Sequence, residues 1–125
     1  MTTVLVADDD PGVRFALARL LAAEGDLEVI EAAGCEAALE LMASEKPDVV
    51  VTEAVMPSMT AIDYIKALRR SCPRAGIVAL SAGGMHQSPE FATGLASTAG
   101  ADEVLRKPAR NDSLLTAVHK LLRRT

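Results

Sequence analysis

The sequence predicts an α/β fold: a parallel sheet wound with helices on both faces. Two observations carry that reading. Short apolar runs rich in β-branched residues alternate with longer segments of helical period, the pattern of βαβ units. Helix starters and stoppers fall between them, at Pro11, Gly25, Pro47, Pro73 and Gly100. The chain has 125 residues, 50% of them apolar, enough to bury one core. It therefore reads as a single domain over 1–125, with no linker, repeat or output domain.

Five strand and helix pairs follow in order. The first strand, residues 4–7, leads to a helix over 11–24, where Pro11 suits a first turn whose N–H groups lack partners anyway. Gly25 suits its C-terminal cap. The second strand covers 27–31, and its helix, 35–44, cannot continue through Pro47. The third strand, 49–52, is followed by a helix over 61–71 that Pro73 ends. The fourth, 77–80, precedes a helix over 89–99 capped by Gly100, and the fifth, 103–105, precedes a helix over 111–124. The basic last turn of that helix (Lys120, Arg123, Arg124) complements the helix dipole. On the first helix, Val13, Leu17, Leu20 and Leu21 share the core face, while Phe15 falls opposite, near Ala18, Arg19 and Ala22. An exposed Phe15 beside small residues is a candidate partner contact.

Composition excludes several function classes. Net charge is −4, with one Tyr, two Phe and no Trp, so there is neither a basic nucleic-acid footprint nor a base-stacking platform. No apolar run reaches the ~18 residues of a membrane span and no basic leader is present, so a cytoplasmic protein off the membrane is expected. Cys35 and Cys72 lie far apart without metal-ligand spacing and read as reduced passengers.

In an open parallel sheet, ligands bind outside the carboxyl ends of the strands. Strand one ends in Asp8-Asp9-Asp10, strand three in Glu53, strand four in Ser81 and strand five in Lys107-Pro108. All four endings converge on one rim. Carboxylates with a hydroxyl and an ammonium suit a hard cation such as Mg²⁺ and a phosphoryl group. With these residues, the chain resembles the receiver domain of bacterial response regulators over essentially its whole length. The resembling segments are 4–11, with its acidic run; 47–57, the phosphoacceptor strand and loop; Ser81-Ala82; and Lys107-Pro108.

The resemblance implies a flavodoxin-like (βα)5 sheet of strand order 2-1-3-4-5 and a place in two-component signalling, with histidine kinases, phosphotransfer proteins or output proteins as partners. It implies no enzyme activity, and a monomer or weak homodimer. Asp9 is the implied direct metal ligand and Asp8 a ligand through water, with the Val55 carbonyl and Glu53 completing a candidate Mg²⁺ site. Lys107 faces the acceptor, Ser81 senses its modification, and Pro108 matches a cis proline. Asp10 is solvated or caps the first helix.

Several positions depart from the family pattern. Glu53 stands where the family has the phosphoacceptor Asp. The extra carbon moves the carboxylate by up to about 1.5 Å, and a misplacement of ~1 Å can cost on the order of 100-fold in rate. Phosphotransfer to Glu53 is therefore expected to be poor, and its charge to reach Lys107 or draw Ser81 inward as a partial phosphate mimic. An inert Glu53–Lys107 ion pair is the plainer alternative. Val104 stands three residues before Lys107 in place of an aromatic rotor. Residues 58–61 replace a turn richer in Gly and Asp, and the loop over 82–89, bearing His86, is longer than usual for the family.

The leading expectation is an atypical receiver that signals by protein contact without phosphorylation. A conventional Mg²⁺-dependent phosphoacceptor is the alternative, for which Asp48, at the far end of the strand, is a poor acceptor. A small phosphohydrolase with Asp8 as nucleophile and Asp10 as acid/base is a further alternative, weakened by Pro11-Gly12 and the lack of a later paired-aspartate motif.

Overall fold

The computed structural model describes residues 2–81, 94 and 99–123. Five parallel strands, β1 Thr2–Ala7, β2 Leu27–Ala32, β3 Val49–Glu53, β4 Gly76–Ser81 and β5 Glu103–Arg106, form one sheet in the order β2-β1-β3-β4-β5. That is the expected flavodoxin-like order. The described helices are α1 Pro11–Ala22, α2 Cys35–Glu45, α3 Ala61–Ser71 and a C-terminal helix, Asn111–Leu122. Of the helix expected over 89–99, only Gly94 and Ala99 are described, both helical. The 82–89 loop and His86 lie outside the described residues.

Strand residues alternate between two cores because the pleat turns successive side chains to opposite faces. Leu5, Ala7, Val50, Ile77 and Ala79 pack with Met42, Tyr64, Ile65 and Leu68 of α2 and α3. Val4, Val6, Val49, Val51, Val78 and Leu80 pack with Leu21 of α1 and with Leu114, Val118 and Leu121 of the C-terminal helix. Helices thus cover both faces of the sheet. Strands β3 and β4 are buried throughout, which explains their unbroken apolar reading.

The strands extend one or two residues beyond the sequence reading. Most of the added ends are polar residues that pair in register, among them Thr2 with Leu27, Thr3 with Glu28, Glu53 with Leu80 and Ser81 with Arg106, beside Ala32 and Gly76. An apolar pattern does not mark such residues. Helix α1 stops at Ala22, two residues short of expectation, because Glu24 and Gly25 N–H groups bond back to the Leu21 and Ala22 carbonyls and tighten the last turn. Gly25 then takes φ +85, open to glycine at little cost. The C-terminal helix ends at Leu122, with Arg123 as its cap, and α2 runs one residue further than expected, to Glu45, before Lys46 turns left-handed.

One side-chain placement is corrected. Ala18 was expected near Phe15 on the outer face of α1, yet it is buried, and Val13, Leu17 and Leu20 are only half-buried. The buried stripe is rotated toward the small residue, which lets the helix sit close to the sheet. Phe15 does face outward, at 57% exposure, with the Arg19 guanidinium 5.5 Å from its ring centroid.

Away from the rim, Arg69 clasps the start of β4 to the segment before β5. Its guanidinium donates to the carbonyls of Pro73, Ala75 and Gly100 and to Asp102 Oδ2, and Asp102 also accepts from the Ile77 N–H. Among the described residues, no helix is long and apolar enough to cross a membrane.

Candidate functional site

Register brings the rim together. β1 and β3 are neighbours with Ala7 opposite Thr52, so the next residues on each, Asp8 and Glu53, emerge side by side. β5 runs beside β4 on the other side of β3, and the Lys107 N–H donates to the Ser81 carbonyl at 3.0 Å. The Lys107–Pro108 peptide is cis. These elements aim the Lys107 ammonium back at the two carboxylates.

Lys107 Nζ bridges both acids. It pairs with Glu53 Oε2 and lies 3.0 Å from Asp8 Oδ2. The second oxygen of each carboxylate is engaged by backbone: Asp8 Oδ1 accepts from the Asp10 N–H at 2.9 Å, and Glu53 Oε1 from the Val55 N–H at 3.4 Å. Asp8 is 1% exposed, Glu53 7%, so the pairing takes place largely out of water. Burial alone lowers an ammonium's pKa, but the bonds to Glu53 and Asp8 outweigh it and hold the Lys107 pKa above its ordinary value. The reach of Glu53 to Lys107, expected from its extra methylene, is realised.

The other site residues fall as follows. Ser81 ends β4, fully buried on the same rim. Val104 lies half-buried in β5 and packs against the core on the α2 and α3 side. Val55 stands exposed in the loop after β3, and Asp9 is exposed beside α1. Asp10 caps α1: its Oδ1 accepts from the N–H groups of Gly12 and Val13 at 2.8 and 3.3 Å. Asp48 accepts from the Thr3 N–H at the opposite end of the sheet, where it also lines a recess of about 840 Å³ with Lys46, Cys72, Arg74 and Leu121. The carboxylates themselves sit on the rim.

Two sets of contacts escaped the sequence reading. Thr52 Oγ1 bonds Tyr64 Oη at 2.8 Å and donates to the Glu53 carbonyl at 2.9 Å, tying α3 to the backbone of the site. Burial pushes the Tyr64 phenol pKa far up, so it stays neutral. The signal was present: a tyrosine on the apolar stripe of α3 needs a partner for its hydroxyl, and Thr52 is the polar residue inside an apolar strand. Arg14 donates to the Asp8 carbonyl at 2.8 Å and pairs with Glu31 at 3.4 Å, holding the acidic turn from outside. Ser58 takes φ 83 in the tight turn between Met56 and Met59, a conformation glycine adopts at less cost, and burial raises the pKa of the Cys35 thiol.

A divalent cation demands more than these groups offer as they stand. Mg²⁺ takes about six oxygen ligands in near-octahedral geometry. Among the described residues, no group of three or more His, Cys, Asp or Glu side chains is arranged to hold a metal ion. Lys107 lies between the two buried acids, and the present donor set does not fit the ion.

Comparison with known proteins gives the lineage. Residues 4–119 match the sequence model of the response regulator receiver domain. The chain is 38% identical over 122 residues to "Response regulator MprA" of Mycolicibacterium vanbaalenii, covering 98% of this chain and 51% of that protein. It thus spans about half the length of the relatives it matches. A receiver domain structure from Clostridium thermocellum superposes with a TM-score of 0.87 at 26% identity, covering 99% of this chain and 96% of that one. A Burkholderia pseudomallei response regulator, crystallised with a phosphorylated aspartic acid, a calcium ion and citrate, superposes with a TM-score of 0.80 at 28% identity, covering 94% of this chain and 66% of that one. Sheet order, rim and sequence agree: the chain belongs to the response regulator receiver domain family of two-component signalling.

Proposed function

We propose that this receiver works as an atypical, phosphorylation-independent module in which Glu53 holds one signalling state by pairing with Lys107. The observation that carries the reading is the buried bridge Glu53–Lys107–Asp8, which commits the carboxylate at the acceptor position to an ammonium. In the Burkholderia pseudomallei relative the phosphorylated residue is an aspartic acid. Here the longer side chain has already reached the cation that a phosphoryl oxygen would seek, and its Oε1 accepts from the Val55 N–H. A single carboxylate carries about −1, less than a phosphoryl group, so the mimicry is partial. Valine at 104 supplies no aromatic rotor, so the readout runs through the rim and neighbouring surfaces.

In this reading the module acts by protein contact, with a histidine kinase, a phosphotransfer protein or an output protein as partner, and as a monomer or weak homodimer. Phe15, outward on α1 and stacked with Arg19, is the contact we assign to such a partner.

The test is a phosphodonor experiment on the chain and on Glu53→Asp. Incubation with acetyl phosphate and Mg²⁺ should leave the native chain unmodified by intact-mass analysis, whereas the shortened acceptor should gain a phosphoryl group. Stoichiometric, acid-labile phosphorylation of the native chain at Glu53 would overturn the proposal.

A further inference from the structure

We infer that Lys107 is the resident cation of the rim: its ammonium holds the place between Asp8 and Glu53 that a divalent ion would need, so the native site rejects Mg²⁺ and loss of that ammonium admits it. The inference rests on the proposed reading in taking the Glu53–Lys107 pair as the resting state of the site.

The argument begins with oxygen atoms. Both oxygens of Asp8 and both of Glu53 already have partners, two of them Lys107 and two backbone N–H groups. Asp9 is exposed and joins no metal-competent group with them. An incoming Mg²⁺ would lie beside a fixed ammonium with little water between them, and like charges at such range repel strongly. Entry would require Lys107 to leave, breaking its bonds to two buried carboxylates.

Charge balance points the same way. The two buried carboxylates and one ammonium sum to −1, a moderate charge already stabilised by hydrogen bonds. Without the ammonium they sum to −2, which matches a divalent ion. One methylene at position 53 favours the first arrangement, since it brings Oε2 onto the lysine. The position of a cation is thus occupied by a group the chain cannot release.

The test uses the full chain stripped of metal with EDTA, titrated with MgCl2 in the absence of any phosphodonor and followed by thermal unfolding and isothermal calorimetry. At matched ionic strength, the native chain should show no saturable response at millimolar Mg²⁺. Lys107→Met should gain at least about tenfold in Mg²⁺ affinity with a saturable rise in unfolding temperature, and adding Asp8→Asn should abolish the gain. Lys107→Arg keeps the charge and should stay refractory. Saturable Mg²⁺ binding by the native chain would overturn the inference, even if Lys107→Met fails to fold. A folded Lys107→Met with no gain would also overturn it. Because no phosphodonor is present, failure here leaves the phosphorylation result to be judged separately.

Discussion

Removing the ammonium while keeping its side-chain bulk tests the bridge most directly. In Lys107→Met the two carboxylates remain, one 1% and the other 7% exposed, without their cation. At the observed 3.0 Å between Lys107 Nζ and Asp8 Oδ2, an effective dielectric of about 20 gives an attraction of roughly 5 kcal/mol. Desolvation of the ions offsets much of this in the intact protein, so the net worth of the bridge is small. Breaking it is different, because two buried anions lose their partner, and such losses run to about 3–5 kcal/mol. The lysine side chain is 20% exposed, which admits some water and places the expected cost near the lower end of that range, about 3 kcal/mol. Glu53→Gln should cost less, about 1–2 kcal/mol, since Lys107 keeps Asp8 and the amide oxygen can still accept. Urea unfolding in EDTA, with the m-value unchanged, measures both. In the double variant, the Glu53→Gln change should become neutral or stabilising, since neutralising one anion then relieves repulsion, and the cycle should show a coupling above about 1 kcal/mol. A Lys107→Met cost below that of Glu53→Gln, or additive effects, would refute the shared-cation account.

Three other outcomes follow from local geometry. The stability difference between the native chain and Lys107→Met should hold steady below the ordinary lysine pKa of about 10.4 and shrink as pH rises through the raised folded value, because the folded state binds that proton more tightly; denaturant titrations across alkaline pH check it, and a loss already complete at neutral pH would contradict it. Arg69→Ala removes bonds to three carbonyls and to Asp102 and should cost about 2–3 kcal/mol in urea unfolding, the range of a lost charge-assisted network. Gly76→Ala places a Cβ 2.9 Å from Leu121 Cβ and Cδ1 and should cost about 1–3 kcal/mol by overpacking; a stability equal to the native chain's would show that the C-terminal helix yields freely.

The strands and the rim were legible because each is written in the sequence in a direct form, while the strand order came with the family resemblance. A run such as Val49-Val50-Val51 between Pro47 and Pro57 reads as a strand buried on both faces, and the residue that ends it lies at the carboxyl end of the sheet. Asp8, Glu53, Ser81 and Lys107 were found by that logic. What stayed hidden depends on direction in three dimensions. Whether Lys107 would meet Glu53 alone or bridge to Asp8 is decided by the register of β1 on β3 and by the path after β5. The buried position of Ala18 is set by how α1 rolls on the sheet, a rotation that a helical wheel leaves free. The Arg69 clasp joins α3 to residues around Gly100 and Asp102, which share no local pattern with it.

One methylene changes the chemistry of the rim because the surrounding groups are fixed. The Thr52–Tyr64 bond anchors the end of β3, and the Arg14 bond anchors the Asp8 carbonyl, so the carboxylate at position 53 cannot retreat by moving its backbone. Its added length is taken up toward Lys107, the nearest cation, and the contact draws one buried acid onto an ammonium already held by another. An aspartate on the same backbone would end up to about 1.5 Å shorter, leaving room in which a phosphoryl group or a metal ion could be placed. On the proposed reading, glutamate fills that room with its own oxygen. On that reading, a site arranged to add negative charge upon signalling carries part of that charge permanently, in a carboxylate already paired with the ammonium.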